Sequence, residues 1–156
     1  MVTPPIFDNP ANGPIYPSFV PKTDADGNEI AGIRLPDVTA PLRTYSGWSL
    51  RSGAWANDGC EGTGQSVALP TTKVARTAVG DPRLSIEERY PSFSAYYFAV
   101  KSAIDDFVNK RFMLAEDAQS NFNRMLQSGI ATGAIKRDGV YKDLLRKGMV
   151  HEPTQS

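Results

Sequence analysis

Apolar side chains recur every three or four residues in the C-terminal part of the chain, beginning just after Ser92. In the stretch "FSAYYFAVKSAIDDFVNKR" they fall on one face of a helix, and charged side chains occupy the other faces. The positions on the apolar face are Tyr96, Val100, Ile104, Phe107 and Val108. The sequence therefore predicts a long amphipathic helix that starts at Pro91–Ser92, with a weak ion pair between Asp106 and Lys110.

The same spacing predicts two more helices. In "LAEDAQSNFNRMLQSG" the acidic Glu116 and Asp117 occupy the first turn, and Gly129 is the predicted end. The apolar positions of this second helix are Ala118, Phe122, Met125 and Leu126. A shorter third helix is predicted from Asp138 to Gly148, with its apolar positions at Val140, Tyr141, Leu144 and Leu145.

Turn-forming residues dominate the chain up to Pro91, where eleven of the 12 prolines and nine of the 13 glycines lie. This density interrupts regular structure, so short extended pieces joined by turns are predicted. "YPSFVPKT" and "EIAGIRLP" are predicted to form the arms of a β-hairpin, residues 41–50 one more extended stretch, and "SGAWANDGCEGTGQS" a long loop. "SIEE" places Ser85 and Glu88 as a capping box on a short helical turn.

The segment between the predicted hairpin arms, "DADGN", alternates oxygen-bearing side chains and so has two interpretations. A helix-flanked calcium loop would also need Gly at its sixth position and Glu at its twelfth, where this chain has Glu29 and Leu35. A turn explains the segment more simply, because these side chains hydrogen-bond their own backbone and glycine tolerates a positive φ. We interpret it as a structural turn made by Asp24, Asp26, Gly27 and Asn28.

Together these patterns predict an α+β protein, with an irregular Pro/Gly-rich N-terminal half containing a β-hairpin, followed by two to three α-helices. We divide the chain into an extended, hairpin and loop region over residues 1–91, a helical region over residues 92–148, and a tail over residues 149–156. The first region has too little apolar periodicity for a core of its own. We therefore expect the three parts to form one incomplete domain.

The charge balance and composition exclude several classes of partner. Lys plus Arg and Asp plus Glu number 17 each, so no net field attracts nucleic acid or anionic lipid. No apolar run approaches the roughly 20 residues of a membrane span, and the first residues lack the pattern of a secretion signal. Cys60 is the single cysteine, which excludes an internal disulfide and a paired-cysteine metal site. We expect a soluble chain, cytoplasmic by default, that binds no nucleic acid, membrane, metal or cofactor.

The sequence lacks the usual motifs of catalytic residues. The sequence has no G-x-S-x-G nucleophile elbow, and its one histidine, His151, is interpreted as a solvated tail residue. Neighbouring acidic residues occur as three pairs, Glu87–Glu88, Asp105–Asp106 and Glu116–Asp117. Adjacent side chains on a helix point about 100° apart, so the two carboxylates of a pair cannot converge on one substrate atom. The glycines of "DGCEGTGQS" do not form a phosphate-binding motif. No catalytic residue is predicted in this chain.

Three aromatic residues, Tyr45, Trp48 and Trp55, cluster in the Gly-rich part of the chain. Their flat rings could stack on a sugar, a base or an apolar acyl group in a pocket. The alternative is that they anchor a segment with little core of its own onto a larger body, and we favour this packing role.

Several motifs occur together in a fixed order: "DADGNE", "AGIRLP", "PLRTYSGW", "GDPRLSIEERY" and "RFMLAEDA". On these motifs the chain resembles, over about residues 15–126, the C-terminal part of a bacterial family of large α/β-hydrolase-domain proteins. Linked motifs in the right order are more specific than any one of them. The last thirty residues or so do not follow the family pattern, so their role is open.

The resemblance implies that the hydrolase core, with its nucleophilic serine and its histidine, lies upstream of the hairpin in such proteins. No catalytic residue is therefore carried over to this chain. Our main hypothesis is a C-terminal segment of an esterase-like hydrolase, non-catalytic alone, which covers or shapes a hydrolase core supplied by an upstream segment or a second chain. The alternative is a free-standing interaction module whose helices from Ser92 onward dock by exposed apolar stripes. A complete hydrolase with an unrecognised site is a third possibility.

Overall fold

The computed structural model of the chain describes residues 19–50, 60–61 and 64–153. Short helices and short strands make up the first part of this range, and three longer helices follow. The elements are α1 (Pro36–Thr39), β1 (Arg43–Ser46), β2 (Ser49–Leu50), β3 (Cys60–Glu61), β4 (Gln65–Ala68), α2 (Lys73–Ala78), α3 (Ile86–Arg89), α4 (Phe93–Asn109), α5 (Ala115–Ala131) and α6 (Gly139–Arg146). The predicted α+β fold, with an antiparallel hairpin and several helices, is confirmed.

Two short antiparallel ladders form the β structure of the described residues. β1 pairs with β4 in a register that sets Arg43 opposite Ala68 and Ser46 opposite Gln65. β2 pairs with β3, so this second ladder is nested inside the loop that joins β1 to β4. The stretch predicted as extended over residues 41–50 therefore holds two strands rather than one.

The predicted hairpin around "DADGN" is present as a turn with very short arms. Thr23 and Glu29 form one antiparallel bridge, and the Ile30 N–H donates to the Lys22 carbonyl at 3.0 Å. Beyond this bridge the second arm leaves the pairing and enters α1 at Pro36, because proline fixes φ at a value that suits the first helical position. Residues 16–18 of the first arm lie outside the described residues.

Both predicted helix starts in the middle of the chain are confirmed. Ser85 and Glu88 form a capping box on α3: the Ser85 Oγ accepts from the Glu88 N–H at 3.3 Å, and the Glu88 carboxylate accepts from the Ser85 N–H at 3.1 Å. Ser92 caps α4 by accepting from the Ala95 N–H at 3.2 Å. These side chains satisfy N–H groups that have no partner within the first helical turn.

The hydrophobic core lies between α4 and α5, and Tyr96, Val100 and Leu126 at its centre are fully buried. All but one of the residues predicted for the apolar face of α4 are buried, and Val108 is partly buried. The other elements close the core with Ala40, Leu69, Ile86, Tyr90, Tyr141, Leu144 and Val150. The segments that carry Ala40, Leu69 and Ile86–Tyr90 therefore share a core with the helices, and the predicted tail is packed as far as Val150.

The prediction that Gly129 ends the second helix is wrong. α5 continues to Ala131, and Gly129 is buried inside it, where a Cβ would lie 2.2 Å from Cε1 of Tyr96 on α4. The glycine that follows the end of the helix is Gly133, which has φ +67°. Gly129 thus allows α4 and α5 to approach closely, a requirement that the local sequence pattern does not reveal.

Two short helices were not predicted from the sequence. α1 begins at a proline, and α2 is capped by Thr72, whose Oγ1 accepts from the Ala75 N–H at 3.1 Å. These helices are too short for apolar periodicity to be recognised, because the pattern is read over windows of eleven or more residues. In the part of the chain that the structure describes, no helix combines the length and the hydropathy needed to cross a membrane.

Candidate functional site

A cavity of about 370 Å³ lies beside the β1–β4 ladder, between α1 and α5. Its floor is buried and apolar, and consists of Ala40, Leu69, Ile86, Tyr96 and Met125. Its rim is polar and more exposed, and carries Asp37, Arg43, Tyr45, Thr71, Arg124 and Ser128. An apolar interior with a few polar groups at its edge is typical of small-molecule sites, whose volumes begin near 300 Å³.

The three aromatic residues singled out in the sequence do not meet in this cavity. Tyr45, in β1, is half-buried and belongs to the cavity rim. Trp48 follows β1, is also half-buried, and its carbonyl accepts a hydrogen bond from the Ser46 hydroxyl. Trp55 lies outside the described residues. Tyr45 therefore lies on the cavity rim and Trp48 does not, and the choice between a pocket role and a packing role for these aromatics stays a prediction.

Arg124 and Asp37 form a bidentate ion pair at the cavity rim. The two guanidinium N–H groups of Arg124, on α5, donate to the Asp37 carboxylate, on α1, at 2.9 and 2.7 Å. This fork geometry gives orientation as well as energy. The pair joins α1 to α5 across one edge of the cavity and neutralises the Asp37 charge there.

Burial raises the pKa of the two tyrosines that line the cavity, which are already protonated at neutral pH at their ordinary pKa. Burial, and secondarily the Asp37 carboxylate, raises the pKa of Tyr45 above its ordinary value. Burial also raises the pKa of Tyr96, whose hydroxyl donates to the Met125 carbonyl at 2.8 Å. Both phenols are therefore protonated hydrogen-bond donors at neutral pH.

The "DADGN" turn is fixed to β1 beside the cavity by the side chain of Asn28. Asn28 is fully buried; its Oδ1 accepts from the Tyr45 N–H at 2.8 Å, and its Nδ2 donates to the Arg43 carbonyl at 3.3 Å. Gly27 has φ +78°, and a Cβ there would lie 2.9 Å from Cγ2 of Thr44. The turn therefore supports the strand that carries two residues of the cavity rim.

The carboxylates of this turn are occupied by protein partners rather than directed toward one point. Asp24 accepts from the N–H groups of Asp26 and Asn28 at 2.9 and 3.0 Å and from Arg34, while Asp26 pairs with Arg89. Burial alone would raise the pKa of Asp24, but the hydrogen bonds from Arg34 and the two backbone groups outweigh it and lower that pKa. Among the described residues, no three His, Cys, Asp or Glu side chains are grouped as metal ligands.

Two of the carboxylate pairs noted in the sequence, Glu87–Glu88 and Asp105–Asp106, make structural contacts. Glu88 accepts two hydrogen bonds from Arg76, at 2.8 and 3.1 Å, while Glu87 accepts from the Lys73 N–H. The hydrogen bonds from Arg76 and then from Ser85 lower the pKa of Glu88 to about 2. On α4, the neighbouring acids form separate surface pairs, Lys101–Asp105 and the predicted Asp106–Lys110.

His151 is exposed, and its backbone forms two hydrogen bonds with the Gln127 side chain. The His151 N–H donates to Gln127 Oε1, and the His151 carbonyl accepts from Gln127 Nε2, both at 3.0 Å. These two hydrogen bonds hold His151 against α5. The contact is structural. Within the described part of the chain, no carboxylate or serine hydroxyl forms a hydrogen bond with the His151 imidazole.

Large apolar side chains are exposed mainly before α3. We call five of them the front surface: Phe19, Val20, Ile30, Ile33 and Leu35, which are between 46% and 90% exposed. Four more exposed apolar residues, Val67, Val74, Val79 and Leu84, follow in the same half of the chain. In the helical half, Phe98, Phe112 and Leu114 are exposed. These exposed apolar residues are thus concentrated before α3, and all of them lie within the segment, about residues 15–126, that resembles the hydrolase family.

The comparisons with known proteins agree with those motifs. No curated protein and no solved structure matches the chain. The family described as "Alpha/beta hydrolase domain" matches residues 3–123, which include the turn, both ladders, α1 to α4 and the first turns of α5. Because this match covers most of the 156 residues, the chain belongs to the alpha/beta hydrolase domain family.

Proposed function

We propose that this chain acts as the C-terminal segment of an esterase-like α/β hydrolase and that it covers or shapes a hydrolase core supplied by an upstream segment or a second chain. The proposal makes the segment non-catalytic alone. It is supported by the family match and by the sequence, which has no nucleophile elbow of the G-x-S-x-G type.

The front surface is the observation that carries this proposal. Ile33 and Leu35 are 59% and 55% exposed, and they stand in "AGIRLP", one of the motifs through which the chain resembles the family. At about 25 cal/mol per Å², exposed apolar side chains are costly to leave in water, and contact with another protein surface removes that cost. A hydrolase core that packs on residues 19–35 would remove this cost.

The alternative of a free-standing helical module has weaker support. It requires the apolar stripes of the helices after Ser92 to face a partner. Those stripes instead face one another in the core between α4 and α5, as Val100 and Leu126 show by their complete burial. The apolar surface that is exposed lies mostly on the other half of the chain.

A complementation assay tests the proposed function. A family member is expressed without its own corresponding C-terminal segment, and the present chain is added in trans while p-nitrophenyl ester hydrolysis is measured. We expect no hydrolysis by the chain alone and hydrolysis by the combination. Hydrolysis by the purified chain that a serine-directed inhibitor abolishes would support the complete-hydrolase alternative instead.

Two N-cap leucines provide a matched pair of variants for this assay. Leu35 precedes α1 and Leu114 precedes α5, and both are exposed and make no side-chain capping bond. Asp is favoured at an N-cap, so Leu→Asp is tolerated by the helix at either position. We expect Leu35→Asp to reduce complementation at least tenfold and Leu114→Asp to leave it unchanged. Equal effects of the two variants would remove the front surface from the proposal.

A further inference from the structure

The cavity beside β1 combines an apolar floor with hydrogen-bond donors at its rim. Ala40, Leu69 and Met125 in the floor are each 2% exposed and offer an apolar wall. At the roughly 30 Å³ that a water-sized group occupies in a liquid, a volume of about 370 Å³ has room for about a dozen non-hydrogen atoms. The floor therefore suits a short hydrocarbon group rather than a polar molecule.

The charges at the rim favour an anion. Asp37, the acidic residue of the rim, is neutralised by its bidentate pair with Arg124. Arg43 is exposed, lines the same cavity, and makes no ion pair within the described residues. The Tyr45 and Thr71 side chains also lie on the rim and can donate hydrogen bonds. The rim thus offers one positive charge and two neutral donors.

We propose that this cavity binds a small apolar carboxylate, with its hydrocarbon part against the floor and its carboxylate at Arg43. The proposal goes beyond the function proposed above and does not depend on a hydrolase core. A guanidinium and neutral donors at the mouth of an apolar pocket complement a carboxylate, because charge-assisted hydrogen bonds are stronger than neutral ones. A phosphate dianion or a cation would not match one positive charge above an apolar floor.

Calorimetric titration of the full chain with sodium octanoate tests the proposal, with octanamide as the uncharged analogue. We expect octanoate to bind about tenfold more tightly than octanamide, the difference typical of one charge-assisted hydrogen bond. Arg43→Gln should weaken octanoate binding about tenfold and leave octanamide binding unchanged. Arg146→Gln, which removes an exposed arginine on α6, should change neither.

Two further outcomes separate this inference from others. Leu35→Asp should leave octanoate binding unchanged, because the front surface is not part of the cavity lining. If Leu35→Asp abolishes octanoate binding, the ligand sits on the front surface and the proposal is overturned. Failure of octanoate to bind, or equal binding to the wild type and to Arg43→Gln, also overturns it. None of these outcomes bears on complementation, so the two proposals fail or succeed separately.

Discussion

At the residue scale, the residue type needed at some positions is determined by contacts with distant parts of the chain. Gly129 is needed because the Tyr96 ring of α4 occupies the space that a side chain would fill. Glu88 completes a helix cap and at the same time accepts two hydrogen bonds from Arg76 on α2. Both residues can be tested by conservative substitution.

Gly129→Ala should destabilise the protein although alanine is the better helix former. The added Cβ would lie 2.2 Å from Cε1 of the fully buried Tyr96, and overpacking of this kind costs about 1–3 kcal/mol. We expect the free energy of unfolding in urea to fall by about 2 kcal/mol. Gly139→Ala in α6, where no atom lies within 4 Å of the new Cβ, is the control and should not destabilise.

Glu88 should make part of the stability depend on pH. Its pKa is lowered from 4.5 to about 2 in the folded protein, so the ionised form stabilises the fold above pH 4.5 and this contribution is lost as the pH falls toward 2. Glu88→Gln should flatten the decrease in melting temperature across that interval, while Glu116→Gln, on the exposed first turn of α5, retains the wild-type curve. If the melting temperature of Glu88→Gln decreases as much as that of the wild type, groups other than Glu88 cause the pH dependence.

At the element scale, the "DADGN" turn, β1 and the cavity form one connected unit. The turn binds β1 through Asn28, and β1 supplies Arg43 and Tyr45 to the cavity rim. Pairing of β1 with β4 then closes the side of the cavity that carries Ala68 and Leu69. Substitutions that disrupt the turn should therefore also destabilise β1.

Asn28→Ala should loosen β1. The substitution leaves the Tyr45 N–H and the Arg43 carbonyl without their side-chain partner, and a buried unpaired polar group costs about 1–3 kcal/mol. We expect a loss of about 2 kcal/mol in the free energy of unfolding, together with faster hydrogen exchange of the Tyr45 amide. Asn109→Ala, at the exposed end of α4, is the control. Unchanged exchange at Tyr45 would contradict the support that we assign to the turn.

The elements that depend on local signals could be predicted from the sequence. The Ser85–Glu88 capping box, the Ser92 cap and the apolar face of α4 require only residues within a few turns of one another. The pairing of β1 with β4 could not be predicted, because it joins residues about twenty positions apart and each strand has only four residues. The cavity depends on that pairing, which is why only Tyr45 of its rim was singled out.

At the scale of the whole molecule, the apolar side chains of the helices and those of the front surface have different environments. The helices bury their apolar faces against one another, whereas the front surface leaves Phe19 90% exposed. The match to the hydrolase family covers the front surface but not the last turns of α5 or α6. We therefore propose that the front surface contacts a hydrolase core.

Dye binding should detect the front surface in the isolated chain. We expect the wild type to enhance the fluorescence of 8-anilinonaphthalene-1-sulfonate, and the double variant Ile33→Asp/Leu35→Asp to enhance it less. The melting temperature should change little, because both side chains are exposed. Leu114→Asp serves as the control on the helical half, and an equal reduction in that variant would locate the dye elsewhere.

Hydrogen exchange of residues 31–35, measured with and without the hydrolase core of the complementation assay, tests whether the front surface contacts such a core. In the described part of the chain these amides donate no backbone hydrogen bond, so they should exchange rapidly in the isolated chain. We predict at least a tenfold slowing when the core is added, with the amides of α4 unchanged. Slow exchange in the isolated chain, or no change on addition of a core that the chain activates, would contradict the account.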